Sequence, residues 1–130
     1  MSEITVGTEI PAVEETATLH TSVRYAGASG DFNPLHYDET FAAGVSPTGA
    51  TIAHGMYSMG LASRALTAFA GGPENVADLQ VRFTRPWPIG VSARFSGTVA
   101  EVADGRATVE LTGTTADGER ILRGTGVIRL

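Results

Sequence analysis

The chain has 130 residues, enough for one ordinary domain that buries roughly two thirds of its unfolded surface. Its 42% hydrophobic and 18% charged residues exclude a disordered chain, and the lack of cysteine excludes disulfides, thiolate nucleophiles and cysteine zinc sites. A net charge of -5 argues against nucleic acid or an anionic membrane as a partner. All the basic residues are arginine, a bias that points to a GC-rich genome and bears on origin, not mechanism.

Met1 to Pro11 has no basic start and carries Glu3 and Glu9, unlike a secretory leader. The longest weakly polar stretch, Ala50 to Pro73, contains His54, Ser58, Ser63, Arg64 and several glycines, poor material for a bilayer span. The expectation is a soluble, cytoplasmic protein.

In chain order, Ile4 to Ile10 reads as an opening strand. A short helix begins at Thr21 to Tyr25, and Ala26 to Leu35, broken by two glycines and Asn33-Pro34, reads as a loop. Asp38 is placed to cap a short helix through Phe41 and Ala42. The one long helix is expected from about His54 to Phe69. Its apolar residues, Met56, Met59, Leu61, Ala62, Ala65, Leu66 and Phe69, spread around nearly the whole circumference, the pattern of a buried helix. Gly60, Ala62 and Ser63 leave room for another backbone, and Gly71-Gly72-Pro73 ends the element.

Alternation then takes over. Leu79, Val81 and Phe83 face one way and Gln80, Arg82 and Thr84 the other. Val91 to Val102 continues with Ala93, Phe95, Gly97 and Val99 on one face. Asp104-Gly105 and Asp117-Gly118 separate it from strands starting at Ala107 and Glu119, and such turns are strong antiparallel hairpin signals. The pattern predicts one α+β domain over 1–130: a buried central helix with an antiparallel meander able to wrap it. Such a sheet has free edges, which a second copy would hide.

Reactive groups concentrate in Ser29-Gly30-Asp31-Phe32-Asn33-Pro34-Leu35-His36. Pro34 fixes its own φ and biases Asn33 to an extended backbone, so the loop direction is set. A carboxylate and an imidazole held close by a rigid loop can share one water. One takes a proton while the other supplies one, and an ordinary histidine pKa near ~6.5 suits either task. The structural alternative is a turn-capping Asp31 and a satisfied, half-buried His36. His20, His36 and His54 are scattered along the chain and suggest no metal site. No lysine is available for a phosphate-binding loop, and no Gly-x-Ser-x-Gly elbow occurs. No metal and no cofactor is expected.

The run Tyr25 to His36, followed by Ala42, resembles the motif of the MaoC-like, or hydratase 2, family. Ile52-Ala53-His54-Gly55-Met56 and Val81-Arg82-Phe83-Thr84-Arg85-Pro86 extend the resemblance along nearly the whole chain. It looks closest to the catalytic subunit of actinobacterial (3R)-hydroxyacyl-ACP dehydratases. The resemblance implies a hot-dog fold, a long helix wrapped by an antiparallel sheet. It also implies a reversible hydro-lyase acting on acyl-CoA or acyl-ACP thioesters in fatty acid metabolism, either a (3R)-hydroxyacyl-thioester dehydratase or an (R)-specific enoyl-thioester hydratase. Asp31 and His36 become the catalytic pair, and Asn33 orients one of them or the substrate. The Gly55 N–H becomes an oxyanion donor at the helix start, where amides lack intrahelical partners.

Around these stand His54, a hydrogen-bonding residue more than a site-lining one, and Ser63, two turns beyond Gly55. Arg82 and Arg85 are candidates for cofactor phosphates. The alternatives are a hot-dog acyl thioesterase and an acyl-binding subunit of a heterodimeric dehydratase. The Asp-x-Asn-Pro-x-His string argues against the former, and retention of both Asp31 and His36 against the latter. The expected assembly is a homodimer, or a heterodimer with a related hot-dog subunit.

Overall fold

The computed structural model describes residues 3–130; Met1 and Ser2, where the leader reading begins, lie outside the described residues. Five strands form one antiparallel sheet in the order β1-β3-β4-β5-β2. They are β1 (Glu9–Thr16), β2 (Val76–Phe83), β3 (Ser92–Ala103), β4 (Arg106–Thr115) and β5 (Arg120–Arg129). Three helices, α1 (Leu19–Ser29), α2 (Glu39–Val45) and α3 (Gly55–Ala70), precede β2. Among the described residues no helix is long and apolar enough to cross a membrane.

The second half follows the sequence pattern closely. Ala93, Phe95, Gly97 and Val99 of β3 are buried, as are Ala107, Val109 and Leu111 of β4. Asp104 and Gly105 both take positive φ, 53 and 72°, the tight two-residue turn whose twist matches the strands it joins. Leu66, Ala65 and Ala70 of α3 pack against Val109, Leu111 and Ile128. Gly126 of β5 lies under Leu66, whose side chain occupies the space a Cβ would need. Nearer the start of α3, Leu61 and Ala62 join a second cluster with Trp87, Phe95 and Leu122.

Three expectations are corrected. The opening strand is Glu9–Thr16, not Ile4 to Ile10: Thr5 to Thr8 is a turn, in which the Thr8 N–H donates to the Thr5 carbonyl at 3.0 Å. Its Pro11 falls in a register shift between Ile10 and Val13 on an edge strand, where a missing N–H is tolerated. Helix α1 runs from Leu19 to Ser29 and so includes Ala26 to Ser29, which the glycines of the sequence predict as loop. The chain does not stop at Gly27; it stops at Gly30, which adopts left-handed φ 79° and donates its N–H to the Ala26 carbonyl. Finally, α3 is not buried all round. Met56, Gly60, Arg64 and Ala68, one row at i, i+4 spacing, are exposed, because the sheet wraps only the other faces.

Candidate active site

The loop after α1 is a chain of short local bonds. The Asp31 N–H donates to Ser29 Oγ at 3.1 Å, and Asp31 Oδ1 accepts from the Asn33 N–H at 3.2 Å. Asn33 Oδ1 then accepts from the Leu35 N–H at 3.0 Å, capping a 3₁₀ turn over Pro34–His36. Pro34 fits the first position of that turn because it has no N–H to lose. The Asn33 side-chain oxygen thus caps the turn that carries His36.

His36 is buried and its Nδ1 lies 2.8 Å from the Ile52 carbonyl. A carbonyl only accepts, so Nδ1 carries a proton and Nε2 is the ring nitrogen that points the other way. That nitrogen faces Asp31 Oδ2 at 3.7 Å. The gap is too long for a direct hydrogen bond and suits two groups that contact one oxygen between them. The Asp31 side chain is half exposed, so the pair joins a buried imidazole to a carboxylate open to solvent.

His54, the residue before α3, ties the two together. Its Nε2 donates to the Asp31 carbonyl at 3.1 Å, and its ring stacks on His36 with centroids 3.8 Å apart. Tyr25 of α1 packs on His54 at 4.8 Å. Burial pushes the His54 pKa below its ordinary value, the hydrogen bond to Asp31 opposes that shift, and the neighbouring His36 adds to it. A neutral His54 keeps the one N–H the Asp31 carbonyl needs.

His36 and His54 line a pocket of about 280 Å³ with Gly55, Ser58, Phe83 and Trp87 among others, and Asp31 stands outside its lining. Gly55 is the first residue of α3, and its N–H has no acceptor among the described residues. The His54 side chain makes no cap bond, so the helix start stays open toward the pocket. The Phe83 ring lies where a Gly55 side chain would be: a Cβ there would stand 3.1 Å from it.

The sequence reading missed Ser58, which is buried, lines the pocket and donates from Oγ to the Gly55 carbonyl at 2.6 Å. The signal was its position in the same first helical turn as Gly55. Ser63 is half-buried and does not line this pocket. The two candidate arginines part company. Arg85 lines the pocket and pairs with Glu119 at 3.1 Å, whereas Arg82 faces the opposite side of the sheet.

Asp31, His36 and His54 offer ligand atoms within 4.8 Å of one another, a convergence the spacing of the histidines in sequence did not suggest. One nitrogen of each ring is already held by a carbonyl, which leaves one ring nitrogen of each histidine and the Asp31 carboxylate for other partners.

A long helix wrapped by a five-stranded antiparallel sheet, with a His-Asp pair beside the helix start, is a hot-dog fold with a polar site. The chain belongs to the MaoC like domain family, whose pattern matches residues 3–119. It is 37% identical over 101 residues to a 3-hydroxybutyryl-CoA dehydratase of Methylorubrum extorquens, covering 77% of this chain and 64% of that protein. This chain thus spans less than two thirds of that longer relative. Among solved structures it is similar to the (R)-hydratase from A. caviae involved in PHA biosynthesis. The TM-score there is 0.89 at 25% identity, over 100% of this chain and 99% of that one. It is also similar to the ChsH1-ChsH2 complex from Mycobacterium tuberculosis, with TM-score 0.85 at 26% identity over 97% and 98% of the two chains.

Proposed function

We propose that this protein is a hydro-lyase that reversibly adds water across the double bond of a trans-2-enoyl thioester, giving the (3R)-3-hydroxyacyl thioester. The observation that carries the reading is the 3.7 Å approach of Asp31 Oδ2 to His36 Nε2 beside a pocket that also holds the free Gly55 N–H. A water between the two groups has its oxygen aimed at C3. As that oxygen bonds to C3, the water proton passes to one member of the pair and a proton reaches C2 from the other. Acid and base are assigned to the pair and not divided between its members. Electron density moves onto the thioester oxygen during attack, and the Gly55 N–H at the positive end of α3 receives it.

His36 and Gly55 are tied to one another through Ile52 and His54, so the proton-transfer groups and the oxyanion donor are held in fixed relation. The active assembly is a homodimer in this reading. Met56 and Phe83 are 58% and 47% exposed although both are large and apolar, and both belong to elements that border the pocket. Sedimentation of the active protein as a monomer at micromolar concentration would contradict it.

The test is incubation with trans-2-enoyl-CoAs of graded length, following loss of the enoyl thioester absorbance, with chiral analysis of the product. Saturable loss yielding the (3R) isomer is expected. Release of free CoA thiol without a hydroxyacyl product would make the protein a thioesterase. A (3S) product would remove the stereochemical assignment.

A further inference from the structure

The pocket beside α3 has an open end and a buried one. Phe83, Thr84 and Arg85 line it and are exposed, whereas Ala53, Trp87 and Ile121 line it and are buried. A carrier attached to the thioester sulfur leaves through the exposed end. With the thioester oxygen at the Gly55 N–H and C3 beside His36, the carbons beyond C3 run away from the carrier, toward the buried end. The wall there limits the length of the acyl chain.

Trp87 is the largest part of that wall, and it is held from several directions. It falls between Pro86 and Pro88, and a residue before proline is kept extended, so the backbone carrying the indole is stiff. The Trp87 carbonyl accepts from the Ala53 N–H at 2.8 Å, which joins this segment to the approach to α3. The indole Nε1–H donates to the Val91 carbonyl at 2.7 Å, and swinging the ring aside would leave a buried donor unpaired. The ring also meets Phe95 edge-on at 5.5 Å and stacks on Tyr57 at 6.0 Å. Phe95 is fully buried, so the indole has no space to retreat into.

The way along the helix is filled as well. Leu61, Ala62, Ala65 and Leu66 of α3 are buried, and Leu66 occupies the space over Gly126. The volume of about 280 Å³ lies below the roughly 300–1,000 Å³ usual for pockets that enclose a drug-sized ligand. We propose that Trp87 is the stop of the acyl pocket and makes the protein selective for short enoyl thioesters, crotonyl and hexenoyl, over decenoyl and longer chains. This inference rests on the hydro-lyase reading of the pocket. The stop is built within one chain, so a second copy seated on Met56 and Phe83 borders the exposed end and leaves the stop unchanged.

The experiment measures kcat/KM for crotonyl-CoA, trans-2-hexenoyl-CoA and trans-2-decenoyl-CoA with wild type, Trp87→Phe and Trp87→Leu. For wild type the decenoyl value is expected roughly 100-fold below the crotonyl one, within the discrimination that a closed apolar pocket gives against added methylenes. In Trp87→Leu the decenoyl-to-crotonyl ratio should rise roughly 10-fold or more, and in Trp87→Phe by less, in the order of the space opened. Equal values for decenoyl-CoA and crotonyl-CoA in wild type would overturn the proposal, as would an unchanged ratio in a folded Trp87→Leu protein. Should Trp87→Leu fail to fold, the same ratio in Trp87→Phe decides: a rise supports the stop and no change overturns it. Should wild type hydrate none of the three, the hydro-lyase reading fails by itself. Calorimetric binding of butyryl-CoA and decanoyl-CoA to wild type then tests the stop: tighter binding of butyryl-CoA supports it, and equal or tighter binding of decanoyl-CoA overturns it.

Discussion

At its carboxyl end α3 is sealed. Gly71 donates its N–H to the Ala68 and Thr67 carbonyls, and Leu66 is fully buried against Gly126, Val109 and Ile128. At its amino end the same helix is open. His54 offers no side-chain cap, the Gly55 N–H has no acceptor among the described residues, and Met56 and Phe83 are left partly in water. Two imidazoles are stacked there in place of aliphatic packing. The contrast separates the part of the core that holds the fold from the part that gives up packing to hold reactive groups. Sites usually break local rules that the rest of the chain keeps.

Substitutions at the open end should damage turnover and spare the fold. Asp31→Asn and His36→Gln are each expected to lower kcat roughly 10²–10⁴-fold, the usual worth of a positioned acid or base. Asparagine retains the Oδ1 that accepts from Asn33, so the loop should persist. The double variant should be scarcely worse than either single one if both groups handle one water. Kinetics on the enoyl thioester check this, and additive losses would separate the two roles.

Gly55→Pro removes the proposed oxyanion donor and should lower kcat roughly 10²–10³-fold with little change in KM. His54 is already extended, with ψ 134°, as a residue before proline must be. The Phe83 ring has to yield a few tenths of an ångström to the new side chain, and it is exposed enough to do so. Binding of a non-reactive thioether analogue should stay near wild type. Normal turnover in a folded Gly55→Pro protein would place the donor elsewhere.

At the sealed end the pattern should invert. Leu66→Ala is expected to cost about 2–5 kcal/mol in urea unfolding, the range for a fully buried leucine, while kcat of the folded fraction stays near wild type. A large kcat loss there would mean the two ends are not independent.

The smallest effect should come from His54. Burial lowers its pKa, so between the ordinary value of 6.5 and the lowered one the unfolded chain binds more protons than the folded one. Stability should therefore be unaffected by this group above 6.5 and fall as pH drops through that window. His54→Gln should flatten the slope of urea midpoint against pH over about pH 7.5 to about pH 5. An unchanged slope would assign the acid sensitivity to another group.

Much of this contrast was legible in the sequence. Period-two alternation and the two Asp-Gly turns marked the three central strands, because half-buried strands write their pattern residue by residue. Gly71-Gly72-Pro73 marked the sealed end of α3, and the Asp31–His36 string marked the reactive loop. The end of α1 is not legible in the sequence because Gly27 and Gly30 look alike there, although only Gly30 takes a positive φ. Ser58 escaped notice because a helix serine has no distinguishing pattern of its own.

The sequence by itself determined the elements, the glycine stops and the rigid loop joining Asp31 to His36, since each depends on residues within a few positions of one another. Only the tertiary structure decided that His54, 18 residues beyond His36, would stack on it and hold the Asp31 carbonyl. It also decided that Arg82 and Arg123 would face each other on the outer side of the sheet. Stacking, shared hydrogen bonds and strand register arise between segments far apart in the chain. Their geometry is fixed only when the helix and the sheet pack together.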